Sequence, residues 1–175
     1  NAFGAGSLAL GDHELKFGFD YSDNSIYNIY GPQLYGVYEF WGLDNYAAGK
    51  WTTYNLRTPQ PGLGFDSVAA NYDYESYGLF IQDTWFVNSN LTLNFGLRAD
   101  RPDVSVLPQY NALAESAFGY DNSKVNLEWL VQPRFGFNYT FDSDRPTQVR
   151  GGVGLFQGES PQVWLSNAYN TTGYN

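Results

Sequence analysis

The chain has no cysteine, no methionine and a single histidine, His13. Without cysteine there is no disulfide, no thiolate zinc site and no thiol nucleophile. With one histidine, a His-based metal centre or a catalytic triad has almost nothing to build on. Cations are scarce as well: Lys+Arg 9 against Asp+Glu 18 gives a formal net charge of -9. Nucleic-acid binding requires a basic face, so no nucleic-acid partner is expected. No apolar run approaches the ~18 residues of a membrane helix. The chain opens on Asn1, not methionine, which points to a processed product or a piece of something longer. Aromatic residues, by contrast, make up 19% of the chain, beside 15% charged residues and 19 glycines. Such a composition is not that of a disordered chain. It leaves open the one membrane architecture that needs no long apolar run, the β-barrel, whose strands are only half apolar.

Period-two alternation is the dominant pattern. Leu15, Phe17, Phe19 and Tyr21 alternate with Glu14, Lys16, Gly18 and Asp20. Leu91, Leu93, Phe95 and Leu97 alternate with Thr92, Asn94, Gly96 and Arg98, and Phe135, Phe137, Tyr139 and Phe141 oppose Arg134, Gly136, Asn138 and Thr140. Val149 and Val153 lie opposite Gln148, Arg150 and Gly152. Residues 77–87 read as a less regular strand, with Leu79, Ile81 and Trp85 on one side and Gln82 and Thr84 on the other. Asp83 lands among the apolar residues and Phe80 and Phe86 among the polar ones, which predicts a bulge or an interfacial position near the strand end. An earlier strand through Leu8 and Leu10 is joined to the next by a Gly11-Asp12 turn. A short strand is also expected within residues 35–40.

Connections come in two kinds. Residues 11–12, 88–90 and 142–146 are tight turns, whereas residues 22–76, 102–126 and 158–175 are long loops. If successive strands pair antiparallel, all tight turns lie at one end and all long loops at the other, the layout of outer-membrane barrels. A soluble β-sandwich also has one apolar and one polar face, but three features favour lipid. The strands run to about 9–11 residues, the span of a tilted membrane strand. Tyr21, Tyr77, Trp85 and Tyr139 sit towards strand ends, as in aromatic girdles. The face opposite the Leu and Phe residues carries Arg98, Arg134 and Arg150 with many glycines, which suits a wet lumen. Six strands are too few to close a barrel, and open edges in lipid leave backbone groups unpaired, so the chain is expected to form an arc of a larger barrel.

The wording of these hairpins resembles TonB-dependent outer-membrane transporters, in the Oar-like subgroup. Residues 77–85 (YGLFIQDTW) followed by 91–98 (LTLNFGLR), and 132–138 (QPRFGFN) followed by 149–156 (VRGGVGLF), carry the resemblance, with residues 11–18 (GDHELKFG) and 164–168 (WLSNA) in support. It implies an all-β, antiparallel up-and-down transmembrane barrel of about 22 strands, of which residues 1–175 are a partial barrel domain with long extracellular loops. A plug domain and a TonB-contacting segment belong to such proteins and are absent from this stretch. The implied partners are outer-membrane lipid, the plug and remaining strands, and the TonB complex through parts not present here. The implied role is import of a nutrient or peptide-type cargo across the bacterial outer membrane. Two other readings stay open: a complete small outer-membrane barrel with a structural or adhesive role, and a secreted aromatic-rich sandwich that binds carbohydrate.

No enzyme chemistry is expected. His13 abuts a turn, and no Gly-x-Ser-x-Gly elbow accompanies it. Asp20, Asp23 and Asn24, or Asp142 and Asp144, fall short of a calcium cage, so no metal or cofactor is expected. Gly151, Gly152 and Gly154 lie inside a strand with no following helix, which excludes a phosphate loop. The sequons at Asn90, Asn138 and Asn170 read as chance. Candidates for contact with a plug or with one another are the lumen-side Gln82, Arg98, Arg134, Asn138 and Arg150, the arginines pairing with acidic plug or wall groups. Candidates for ligand contact in the loops are Trp41, Tyr46, Trp51 and Trp164, whose competing role is to pack the loops together.

Overall fold

A computed structural model describes residues 1–59, 61–158, 161–170 and 172. Gln60 and, in the C-terminal tail, residues 159–160, 171 and 173–175 lie outside the described residues. In chain order the elements are β1 (Ala2–Leu10), β2 (His13–Ile29), β3 (Val37–Glu39), α1 (Leu43–Ala47), β4 (Thr53–Asn55), a 3-10 turn (Phe65–Val68), β5 (Ala69–Phe86), β6 (Leu91–Val104), α2 (Ala112–Phe118), β7 (Leu130–Phe141), β8 (Thr147–Gly154) and α3 (Gln162–Asn170). Six strands form one sheet in the order β1-β2-β5-β6-β7-β8, and β3 pairs with β4 separately. In the large sheet β1 with β2, β5 with β6, β6 with β7 and β7 with β8 all pair antiparallel. This is an all-β, up-and-down arrangement, and none of the described helices is long and apolar enough to cross a membrane.

Two compact units divide the chain. The first holds residues 1–25, 73–105 and 125–160, and the second holds residues 26–72, 106–124 and 161–175.

In the first unit the registers place the alternating residues on consistent faces. Leu97 pairs with Ile81 on one side and with Pro133 on the other, while Arg98 faces Phe80 and Gln132. One face therefore carries Phe19, Leu79, Ile81, Phe95, Leu97, Phe135 and Val153, and these side chains stay open: Leu79 is 53% exposed and Phe19 49%. The only buried apolar residues among those described are Val68, Ala70 and Tyr72, all in the second unit. The six-stranded sheet is thus not half of a sandwich, in which the Leu and Phe rings would interdigitate with a second sheet.

The turn chemistry explains the hairpins. Gly11 has φ 61, the positive φ that a two-residue primed turn needs at its first central position, and Leu10 pairs with His13 across it. Between β5 and β6, Asn88 Oδ1 accepts from the backbone N–H groups of Asn90 and Leu91, each at 2.9 Å. Asn90 in turn donates to the Thr140 carbonyl at 2.8 Å and to Asp142 at 2.7 Å, which ties neighbouring hairpin ends together.

Two sequence expectations need correction, the bulge in residues 77–87 and the bounds of the long loops. No bulge interrupts the ladder of β5: its pairing with β6 runs unbroken from Tyr74–Val104 to Phe86–Thr92. Asp83 is accommodated by a partner instead. His13 Nδ1 lies 2.8 Å from Asp83 Oδ2 and its ring stacks on Trp85 at 5.3 Å, so a hydrogen-bonded cluster sits at the tight-turn end of the Leu/Phe face. Phe80 is placed on the polar face by stacking on Phe3 at 6.3 Å, over Gly18, where a Cβ would come within 2.7 Å of the Phe80 ring. The strands also reach beyond the expected loop boundaries: β2 continues to Ile29 and β5 begins at Ala69. At ~3.3 Å per residue the 18 residues of β5 extend about 60 Å, well past a ~30 Å hydrocarbon layer. Beyond that layer the Leu/Phe alternation of β5 gives way to polar residues alternating with Ala70 and Tyr72, which are buried within the second unit.

Phe95→Arg, on the Leu/Phe face, is expected to lower stability in lipid vesicles by about 2–4 kcal/mol, while Gln82→Arg on the opposite face changes it by less than about 1 kcal/mol. Urea unfolding from vesicles measures both, and equal losses would overturn the assignment of the faces.

Candidate functional site: a polar belt across the sheet

On the polar face of the first unit, charges from β2, β6 and β7 join in one connected belt. Arg98, on β6, is held by two carboxylates. Its Nη1 lies 2.8 Å from Asp20 Oδ2 and its Nη2 donates to Asp20 Oδ1 at 2.9 Å. Its Nε donates to Asp100 Oδ2 at 2.9 Å, and Nη2 lies 2.6 Å from Asp100 Oδ1. Asp20 is on β2, so the guanidinium reaches over the intervening strand β5. Gly78 makes that crossing available: a Cβ there would lie 2.5 Å from Arg98 Nη2 and 2.5 Å from Asp20 Oδ2. The bare backbone of one strand is the gap through which an ion pair joins its two neighbours.

The belt continues onto β7. Gln132, 1% exposed, donates through Nε2 to Asp100, while its Oε1 accepts from the Gln157 backbone N–H at 2.8 Å and from Arg134 Nη2 at 3.3 Å. Arg134 also lies 4.5 Å from the centroid of the Phe156 ring, a cation–π contact. Asp100 is 8% exposed, so the charge-assisted hydrogen bonds that its Oδ2 accepts from Arg98 and Gln132 act at reduced dielectric, where they are stronger than in water.

Of the sequence candidates, the belt brings together Arg98 and Arg134. The other three share their face but not their network: Gln82 sits opposite Gly96, and Asn138 opposite Arg150. Among the described residues the Asn138 Oδ1 is buried without a hydrogen-bond partner and Arg150 has no ion pair. Sequence reasoning missed Asp20, Gly78, Asp100 and Gln132 as members of a site. Asp20 had already been assigned to the polar face by alternation, but the contact between β2 and β6 across a glycine is not visible in a linear pattern.

The second unit holds the loop aromatics. Tyr38 of β3 stacks on Tyr54 of β4 at 4.4 Å and meets Trp51 edge-on at 6.0 Å, and Tyr46 of α1 meets Phe40 at 5.1 Å. Trp51 and Tyr46 thus pack within one small loop hairpin, whereas Trp41 and Trp164 are 83% and 73% exposed. None of the three described helices was anticipated from the sequence. α2 carries readable signals: the Asn111 side chain accepts from the N–H groups of Leu113 and Ala114, and Gly119 ends the helix at φ 76, the usual N-cap and C-terminal glycine. α3 is anchored by Tyr169, whose ring stacks on Tyr72 at 4.2 Å and whose hydroxyl donates to the Val106 carbonyl at 2.6 Å. Burial, with the neighbouring Tyr72, pushes the Tyr169 phenol up to about 12. In the loop after α2, the hydroxyl and backbone N–H of Ser123 hold the Asp121 carboxyl below its ordinary value.

No group of three or more metal-ligating side chains occurs among the described residues. A family model described as an outer membrane beta barrel domain matches residues 3–175. No curated protein and no solved structure matches the chain.

Gly78→Val is expected to separate Arg98 from Asp20 and lower stability by about 1–3 kcal/mol, the range for overpacking a close-packed site; Gly96→Val, where a Cβ meets nothing closer than 3.6 Å, changes it by much less. Denaturant midpoints in vesicles compare the two. A second expectation concerns α3. The Tyr169 phenol titrates higher folded than unfolded, so its contribution is fully present below pH 10 and is lost as pH rises through about 12. Phenolate absorbance follows it, and Tyr72→Ala brings the titration back towards the ordinary tyrosine value.

Proposed function

Because the chain belongs to the outer membrane beta-barrel domain family and lies in the bacterial outer membrane, we propose that it forms part of the wall of a TonB-dependent transporter of the Oar-like subgroup, importing a nutrient or peptide-type cargo. The observation that carries this reading is the pair of unshared edges. β1 and β8 each have a sheet partner on one side only among the described residues, and a strand edge within hydrocarbon leaves backbone groups unsatisfied at several kcal/mol each. Further strands must therefore flank the six. Since β1 and β8 lie at opposite edges of an even-numbered antiparallel sheet, antiparallel strands can continue from both. The hairpin wording of residues 77–98 and 132–156 supports the transporter assignment within this family.

In this reading the wall is passive and catalyses nothing. The belt around Arg98 fixes the lumen surface, while Arg134 and Arg150, which have no carboxylate partner among the described residues, face the lumen as contacts for acidic groups of a plug. The aromatic hairpin of β3 and β4 stands in the loop that meets cargo from outside.

Immunodetection in outer-membrane fractions is expected to show a species several times heavier than 19.7 kDa, and uptake by the intact protein is expected to stop when TonB is deleted. A mature species near 19.7 kDa, or uptake indifferent to TonB, would sink the proposal.

A further inference from the structure

The Leu/Phe face of the first unit is not uniformly apolar. At the end nearest the long loops it opens into a recess of about 450 Å³ between β2, β5, β6 and the start of β7. Phe19 and Leu79 form its apolar floor, Tyr21, Tyr77 and Trp129 its aromatic wall, and Arg101 and Asp103 its polar rim. Tyr21 and Tyr77 lie 5.2 Å apart, and Arg101 is the direct cross-strand partner of Tyr77. Along β5, Tyr77 stands eight residues from Trp85, about 27 Å at ~3.4 Å per residue. The recess and the His13–Asp83–Trp85 cluster thus mark the two ends of one apolar band, of the height such barrels present to lipid.

Arg101 is the one lysine or arginine on the outward rows of the six strands; all the others in those strands point to the opposite face. It is also held in place. Its Nε donates to the Leu127 carbonyl at 3.2 Å, and its Nη2 is 3.8 Å from Asp103 Oδ2, a long contact. Nη1 has no partner among the described residues, and the side chain is 42% exposed. The acidic groups nearby are already engaged. Asp103 Oδ1 accepts the Val104 N–H at 2.9 Å, and the two oxygens of Glu75 accept the Tyr21 and Tyr77 hydroxyls at 3.3 and 2.5 Å.

We propose that this recess is a binding site for a phosphate-bearing lipid of the surrounding leaflet. The phosphate sits on the open edge of the Arg101 guanidinium, and an acyl chain runs down over Leu79 and Phe19. A fixed guanidinium matches phosphate geometry with two parallel donors. The level also fits, since an aromatic girdle marks the depth at which lipid headgroups begin. A lipid is favoured over a free anion because the floor below the cation is apolar and faces hydrocarbon. The inference rests on membership of the barrel family and is independent of what the barrel transports.

The test is native mass spectrometry of the full-length protein in neutral detergent, titrated with phosphatidylglycerol, with diacylglycerol, or with inorganic phosphate. Wild type is expected to retain one phosphatidylglycerol that Arg101→Gln binds about tenfold more weakly, with Arg101→Lys intermediate and Trp129→Leu also weakened. Diacylglycerol is expected not to occupy the site, and inorganic phosphate not to displace the lipid. Circular dichroism establishes that each variant is folded before it is compared. Equal lipid retention by wild type and Arg101→Gln, equal binding of diacylglycerol, or full displacement by inorganic phosphate would overturn the proposal.

Discussion

A sheet with Leu and Phe on one face and arginine, aspartate and glycine on the other requires two different solvents. The remaining features of the first unit follow from that requirement. A soluble fold meets it by laying a second layer on the apolar face. In this chain the outward rows from β1 to β8 stay open, while the few buried apolar residues, Val68, Ala70 and Tyr72, lie in the second unit. Hydrocarbon supplies the missing layer. Burying each Leu or Phe there is worth about 1.5–3 kcal/mol, and a one-residue slip of β6, β7 or β8 would move Arg98, Arg134 or Arg150 into lipid. Register is therefore set by the membrane as much as by the turns.

The same requirement concentrates charge on the inner face, and concentrated charge has to be paired. Arg98 satisfies this with two carboxylates from different strands. The geometry works because Gly78, on the strand between them, has no side chain. A glycine inside a strand ordinarily weakens it. At this position it lets an ion pair and its hydrogen bonds join β2 to β6, with Gln132 extending the network to β7. Gly18 plays the corresponding part for Phe3 and Phe80. Two glycines thus decide which side chains meet across strands that are not neighbours.

Much of this was legible in the linear pattern. Alternation identified the strands of the sheet and which residues share a face, because the side-chain period of a strand is two whatever surrounds it. Where the pattern misled, a partner outside the strand had altered the rule. Asp83 reads as a defect in its own strand, yet His13, seventy residues earlier, makes it a paired group at the interface. The outer halves of β2 and β5 were read as loop because Ser22, Asp23, Asn24 and Ser25 in β2, and Asn71, Asp73, Glu75 and Ser76 in β5, dilute the apolar signal. α2 was overlooked although Asn111 and Gly119 bracket it with ordinary helix signals; seven residues are too few for a visible period.

By itself, then, the sequence determined the all-β class, the identity of the two faces and the absence of thiol chemistry, since each depends on residue type and on spacing within one strand. The tertiary structure alone decided how the faces are knitted: the Asp20–Arg98–Asp100 belt over Gly78, the His13–Asp83 pair, and the recess that sets Arg101 beside Tyr77 and Trp129. These are contacts between segments tens of residues apart. Their geometry comes from strand order and register, which local spacing does not encode.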